Sequence, residues 1–95
     1  MYTIYRTKGF EKSYKRIKES GELKDKARSA LKQVIDFIAD GAKLPMQYRD
    51  HQLAGEWREY RECHIKGDLL LVYRIRKQEL VLVLVDLGTH SYLKI

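Results

Sequence analysis

All three histidines of the chain lie in its second half, each in a polar or glycine-containing segment. His51 follows an aspartate, His64 precedes a Lys-Gly-Asp stretch, and His90 follows a Gly-Thr pair. An imidazole exchanges protons near neutral pH and is the side chain most often used as a general acid or base. Several imidazoles near a carboxylate in a basic protein therefore suggest acid–base chemistry on a polyanion.

The carboxylate that the spacing predicts is Asp68. If residues 65–67 form a hairpin turn, His64 ends one strand and Asp68 begins the next, so the two side chains are expected to be cross-strand neighbours. An aspartate in that position can fix the tautomer of the imidazole. His51 lies in a long loop and His90 follows the last strand, so local geometry alone places neither of them.

Each of these residues also has a structural interpretation. Asp68 next to a glycine is an ordinary turn residue, and Trp57 is expected to anchor the core rather than to stack on a base. Cys63 shares strand parity with Trp57 and Ile65, which predicts a buried thiol rather than a reactive one. No pair of histidines has the helical or Cys-x-x-Cys spacing typical of zinc sites, so we predict no metal and no cofactor.

The chain is basic, and its charge is unevenly distributed. The net charge is +6 over 95 residues. Residues 1–50 hold 12 Lys/Arg and 7 Asp/Glu, a net of +5, whereas residues 51–95 hold 7 and 6, a net of +1. This positive field suits a nucleic acid or an acidic protein as partner.

The length and the apolar pattern limit the class of protein. A chain of this size predicts one domain over residues 1–95. A lone cysteine fits a reducing cytoplasm. The longest apolar run, residues 80–85, is far below the ~20 residues of a membrane span, so we expect a cytoplasmic protein that does not enter the membrane.

Two helices are predicted in the first half. Residues 2–6 have the composition of a short strand. Apolar residues then recur at helical spacing from about Lys8 to Ser20-Gly21, and again from Leu23 to Ile38. Asp40-Gly41 ends the second helix, with the glycine suited to a left-handed cap. The two helices are expected to form a hairpin with one shared apolar stripe.

Three strands are predicted in the second half, at residues 57–65, 69–76 and 80–87, after an ordered loop at 42–56. Their short links are typical of antiparallel hairpins, and the strand at 80–87 is apolar on both faces, which indicates a central position. The order is β-α-α-β-β-β. The sequence thus predicts an α+β fold in which an antiparallel sheet packs against a two-helix hairpin.

The motifs of the second half resemble those of one known family. They read Asp50-His51-x-Leu53-x-Gly55-x-Trp57-x-x-Tyr60-Arg61-x-x-His64-Ile65-x-x-Asp68, then Leu70-Leu71-Val72-Tyr73, then Gly88-Thr89-His90-Ser91-x-Leu93. Residue types and gaps both resemble the YafQ family of bacterial toxins, which belong to the RelE/ParE superfamily. The resemblance implies a RelE-like fold. It is dense from residue 48 to residue 93 and holds only in pattern over the helical half.

The resemblance implies a ribosome-dependent endoribonuclease that cuts mRNA in the A site without a metal. The ribose 2′-hydroxyl attacks the adjacent phosphate, and the positions matching the family's functional residues are His51, His64, Asp68 and His90. Within that set, we assign His64, tuned by Asp68, as the base or the acid, His90 as its counterpart, and His51 as the group that holds or neutralises the phosphate. Arg61 adds positive charge for RNA binding or, alternatively, forms a salt bridge inside the fold.

The same resemblance implies the partners. They are a cognate acidic antitoxin of the DinJ/RelB kind, and the mRNA on the ribosome. Operator DNA is expected only through the antitoxin.

Two positions depart from the family pattern. Asp86 stands where the family commonly has an arginine, and the chain ends Leu93-Lys94-Ile95 where the family tends to end Leu-Phe. Lys94 is a candidate to restore the lost charge on the RNA. Asp86 is expected either to lie near the scissile phosphate or to pair with Arg61 or Lys94. These departures keep an alternative open: a catalytically weak or inactive binding module that acts through its antitoxin complex or by inhibiting a protein target.

Overall fold

Three helices and five strands follow one another in the computed structural model, which describes residues 1–95. Two short 3₁₀ turns, Met46–Tyr48 and Gly55–Trp57, lie in the long loop of the second half. The strands and helices are, in chain order, β1 (Thr3–Arg6), α1 (Lys8–Ser20), α2 (Asp25–Ala39), β2 (His51–Gln52), β3 (Arg61–Lys66), β4 (Leu69–Arg76), β5 (Val81–Gly88) and α3 (His90–Leu93).

Helix α1 begins and ends where its sequence predicts. The Thr7 hydroxyl accepts a hydrogen bond from the Phe10 N–H at 3.0 Å, which satisfies one of the free donors of the first turn. Gly21 follows the last turn with φ 84°, and its N–H donates to the Lys18 carbonyl. Phe10 and Ile17 are buried on one face, so the basic residues between them remain in solvent.

Helix α2 also agrees with the prediction. Four of its five buried residues recur every three or four positions, and Gly41 after its end has φ 77°. Both helices therefore cover the sheet with a single apolar stripe each. The buried residues of α2 are Ala27, Leu31, Val34, Ile38 and Ala39.

No helix combines the length and the apolar character that crossing a membrane would require.

The sheet has the order β1-β5-β4-β3-β2 and is mixed. Strands β3, β4 and β5 are antiparallel neighbours, as predicted, and β5 is an interior strand. Strand β2, which is antiparallel to β3, lies in the segment that was predicted as a loop. Strand β1 is parallel to β5, with Thr3 opposite Val81 and Arg6 opposite Leu84, so the sheet is not wholly antiparallel. The short hairpin links determine the direction of β3, β4 and β5 only. The direction of β1 is set by the path of the chain through α1 and α2.

One strand boundary and one core residue differ from the prediction. Strand β3 begins at Arg61 rather than at residue 57, because residues 55–57 form a 3₁₀ turn. Trp57 is 43% exposed and contacts Tyr60, with ring centroids 5.6 Å apart. The expectation that Trp57 anchors the core is therefore wrong.

The two faces of the sheet have different roles. The face toward the helices contributes Cys63, Ile65, Leu71 and Tyr73 to the main hydrophobic core. Side chains alternate along a strand, so Glu62 and His64 project from the opposite face of β3. This second face carries the polar groups described next.

Candidate active site

A buried carboxylate lies at the centre of the three histidines. The Oε1 atom of Glu62 is 3.5 Å from Nε2 of His90, 3.7 Å from Nε2 of His51 and 3.8 Å from Nε2 of His64. The Glu62 side chain is only 3% exposed, whereas those of His51 and His90 are about half exposed. The cluster therefore has a buried carboxylate at its base and two imidazoles open to solvent.

Three separate elements bring the imidazoles together. His64 is two residues after Glu62 on β3 and so lies on the same face. His51 is on β2, directly opposite Glu62 in the antiparallel pairing of β2 with β3. His90 is the first residue of α3, and its ring meets that of His64 edge-on with centroids 5.7 Å apart. The structure thus assembles all three predicted histidines around a residue that was not predicted.

The tautomer of His51 follows from its second nitrogen. Its Nδ1 lies 2.8 Å from the carbonyl oxygen of Arg49. A carbonyl only accepts hydrogen bonds, so Nδ1 carries a proton and donates it. The nitrogen that gains or loses the second proton is therefore Nε2, which faces Glu62.

An ion pair fixes the backbone just before His51. The Arg61 guanidinium donates to Asp50 at 3.1 Å and 3.3 Å, and the Tyr73 hydroxyl donates to the same carboxylate. The hydrogen bond to Asp50 raises the pKa of Arg61. Burial, followed by the hydrogen bond to Asp50, raises the pKa of Tyr73 well above its ordinary value. Arg61 therefore forms a salt bridge inside the fold, which was the predicted alternative to RNA binding.

Asp68 does not lie beside His64. In the β3–β4 hairpin His64 pairs with Leu70 and Lys66 pairs with Leu69, because a bulge interrupts the register between His64 and Lys66. Asp68 stays in the exposed turn and forms no ion pair with His64. The predicted His64–Asp68 contact is wrong, and the carboxylate that accompanies His64 is Glu62. The catalytic role of Asp68 remains a prediction without a contact to support it.

The two residues that depart from the family pattern have distinct surroundings. Asp86 accepts a hydrogen bond from the Ser13 hydroxyl at 2.6 Å and one from the Leu87 N–H at 2.8 Å. It forms no ion pair with Arg61, whose carboxylate partner is Asp50, nor with Lys94, so both predicted pairings are wrong. Lys94 is exposed next to α3, and its N–H donates to the His90 carbonyl at 2.8 Å.

The cluster also has the geometry to hold a metal ion. Glu62, His64 and His90 each offer one ligand atom, and these atoms lie within 4.8 Å of one another. Two imidazole nitrogens and a carboxylate oxygen are ligands that zinc and copper accept. A bound metal would occupy the nitrogens that proton transfer needs.

The sequence is matched over residues 2–94 by the family model described as "Bacterial toxin of type II toxin-antitoxin system, YafQ". The chain belongs to the YafQ toxin family. It is similar to the mRNA interferase toxin YafQ of Escherichia coli K12, with 28% identity over 91 residues, 95% of this chain and 97% of that protein.

Two solved structures extend the comparison of this YafQ-family chain. A metal-bound toxin from Helicobacter pylori has a TM-score of 0.87 and 44% identity, with 98% of this chain and 99% of that chain covered. The DinJ–YafQ complex of Escherichia coli gives a TM-score of 0.81 and 29% identity, with 98% of both chains covered. The predicted family and the RelE-like α+β fold are confirmed.

Glu62 is the residue of this YafQ-family site that the sequence prediction missed. A signal for it exists, because Glu62 and His64 are two residues apart on a strand and must share a face. The buried thiol, by contrast, was predicted correctly. Cys63 is fully buried, and burial raises its pKa well above the ordinary value.

Proposed function

We propose that this YafQ-family protein is a ribosome-dependent endoribonuclease that cleaves mRNA in the A site by attack of the 2′-hydroxyl. The observation that carries the proposal is the position of three imidazole nitrogens within 3.5–3.8 Å of one buried carboxylate oxygen. The relative that is named an mRNA interferase toxin supports the reaction class. The reaction forms a 2′,3′-cyclic phosphate and frees the 5′-hydroxyl of the next nucleotide.

The reaction requires a base, an acid and positive charge. The site offers four groups, which are the three histidines and Glu62. A base removes the proton of the 2′-hydroxyl, an acid gives a proton to the leaving 5′-oxygen, and positive charge stabilises the phosphoryl oxygens. We assign proton transfer to His64 and His90, whose rings are in edge contact. His51 is left to hold the phosphate, and it would do so through Nε2, since its Nδ1 already donates to the Arg49 carbonyl.

Glu62 interacts with all three imidazoles from the buried side of the cluster. As a carboxylate it only accepts, so it attracts and orients any Nε2–H that faces it. Its burial strengthens this attraction compared with water.

The partners in this proposal follow from charge. The net charge of +6 suits both the RNA of the ribosome and an acidic antitoxin. The DinJ–YafQ complex, in which the relative's toxin is bound to DinJ, supports an antitoxin partner for this chain. Operator DNA would be bound through that antitoxin. Exposed Lys94 is the candidate phosphate contact next to His90.

The alternative function is a binding module without activity. That alternative depended largely on an acidic residue at position 86. Asp86 is held by Ser13 and by the Leu87 N–H, so its charge serves a contact inside the fold.

The test maps mRNA 5′ ends in a translating extract with the wild-type protein, with His64→Ala and with His90→Ala. Loss of one general acid or base should lower the cleavage rate by about 10²–10⁴-fold. Naked mRNA is the control for ribosome dependence and should remain uncut. Wild-type levels of new ends from both variants would refute the assignment.

A chelator addresses the role of a metal. Because His64 and His90 transfer protons in this proposal, a chelator selective for Zn²⁺ and Cu²⁺ over the Mg²⁺ of the ribosome should leave cleavage unchanged, and added Zn²⁺ should inhibit by occupying Glu62, His64 and His90. Loss of cleavage in that chelator that Zn²⁺ restores would show that the reaction uses a metal.

A further inference from the structure

Tyr92 joins the short helix α3 to helix α1 through two contacts and to the end of strand β5 through a third. Its hydroxyl is 3.2 Å from Oγ of Ser13, and the guanidinium carbon of Arg16 lies 4.1 Å from the centre of its ring. Its ring edge also lies against Gly88, where an added Cβ would be only 2.6 Å from Cδ2. Tyr92 is still 48% exposed, so these contacts hold the ring without burying it in the core.

The polar contacts form a chain with a defined direction. Ser13 is 1% exposed, and its hydroxyl donates to Oδ1 of Asp86 at 2.6 Å. A hydroxyl has one proton, so the Ser13 oxygen must accept the second bond from the Tyr92 hydroxyl. Asp86 is itself fixed by the N–H of Leu87 at 2.8 Å. The order is therefore Tyr92 to Ser13 to Asp86, and it ends on a carboxylate of β5.

Helix α3 depends on such an anchor because it has only four residues. Isolated helices shorter than about 12–15 residues are marginal in water. Successive residues of a helix are about 100° apart, so His90 and Tyr92 point to nearly opposite sides. When the Tyr92 side is held against α1 and Gly88, the His90 side is turned toward Glu62, 3.5 Å away.

We propose that Tyr92, Ser13 and Asp86 form a positioning device that sets His90 against Glu62 and His64. The inference rests on the proposed ribonuclease function for its effect on rate. It gives a role to the acidic residue that replaces the family's arginine at position 86. None of the three residues contacts the RNA in this role; each acts through the place of His90.

The experiment measures cleavage and the ring signals of His90 on the same variants of the full chain. Tyr92→Phe removes only the hydroxyl, Tyr92→Leu removes the ring, and Asp86→Ala removes the acceptor. Asp86→Asn keeps an acceptor oxygen without the charge and should rescue. Tyr14→Phe is the matched control, since it removes a hydroxyl from α1 that forms no hydrogen bond within the protein.

Small displacements of a catalytic group are costly, since about 1 Å can lower a rate by about 10²-fold. We expect kcat to fall about tenfold in Tyr92→Phe and Asp86→Ala and about 10²-fold in Tyr92→Leu, with KM little changed. In NMR spectra of protein with isotope-labelled histidine, the His90 ring signals should move toward free histidine and lose their contact with His64. Tyr14→Phe and Asp86→Asn should resemble the wild type.

Three results separate this inference from the proposed function. If the wild type cleaves but Tyr92→Leu and Asp86→Ala leave kcat and the His90 signals unchanged, the positioning role is overturned. A higher KM with unchanged His90 signals would also overturn it, because Tyr92 would then contact RNA. If the wild type does not cleave while the His90 signals still depend on Tyr92, the ribonuclease proposal fails and the positioning role stands.

Discussion

The two edges of the imidazole cluster are built differently from its centre. Glu62 and His64 lie on β3, an interior strand whose other face belongs to the main core. His51 lies on a strand of two residues, and His90 on a helix of four. Core packing holds the centre, whereas each edge is held by its own polar anchor.

The two anchors also differ from each other. On the His51 side, Arg61 and Tyr73 both donate to Asp50, and Tyr73 is almost fully buried at 2% exposure. On the His90 side, the anchor begins at Tyr92, which is half exposed. The first anchor therefore contributes to stability as well as to position, whereas the contacts of Tyr92, on the solvent side of the buried Ser13, contribute mainly to position.

The largest expected effect is at the centre. Glu62→Gln keeps the size of the side chain but removes the charge that all three imidazoles share, so cleavage in a translating extract should fall by about 10²–10⁴-fold. The melting temperature should change little. Glu59→Gln, at an exposed glutamate paired with Arg74, is the matched control and should keep full activity. Equal activity of the two variants would remove Glu62 from the reaction.

The next largest effect is at the His51 anchor. Asp50→Ala leaves the buried Tyr73 hydroxyl without its acceptor, which should cost about 1–3 kcal/mol of stability in urea unfolding. Because Asp50 precedes His51, cleavage should also fall, by about tenfold. Retained stability with lost activity would mean that Asp50 acts on the substrate instead.

A smaller effect tests the His90 anchor without touching a polar group. Gly88→Ala places a Cβ 2.6 Å from the Tyr92 ring, so the ring must shift. We expect cleavage to fall severalfold while the unfolding midpoint moves less than it does in Asp50→Ala. The opposite ranking, with stability more affected by Gly88→Ala, would contradict the contrast between the two anchors.

The smallest expected effect is a loss of stability at alkaline pH that comes from the Tyr73 hydroxyl. Its pKa is raised above the ordinary value of 10.0 in the folded state, so the folded protein holds this proton more tightly than the unfolded chain. That stability is fully present below pH 10 and is lost as the pH rises through the folded-state pKa. Urea unfolding at rising alkaline pH should show a decline that is weaker in Tyr73→Phe. An identical decline in both proteins would assign it to other groups.

Much of the fold could be predicted because it depends on local patterns. The spacing of Phe10 and Ile17, the cap at Thr7 and the glycines after both helices determine α1 and α2 almost to the residue. Short links likewise predict the β3–β4–β5 hairpins. The direction of β1 is not local, since no short link joins it to a strand. The position of the β3–β4 turn was also not determined by the pattern: strand pairing continues to Lys66 and Leu69, so the turn is residues 67–68 and Asp68 lies in it rather than beside His64.

The sequence by itself determined the chemistry available: three imidazoles, a basic surface and an α+β frame, together with motifs that resemble one family. Only the tertiary structure decided which groups meet. It placed Glu62, and not Asp68, among the histidines, because strand pairing and alternation put Glu62 opposite His51 and beside His64. It also brought the Ser13 hydroxyl within hydrogen-bond distance of Asp86, because α1 packs along β5. Contacts between residues distant in the chain depend on register and packing, which no local pattern of residues contains.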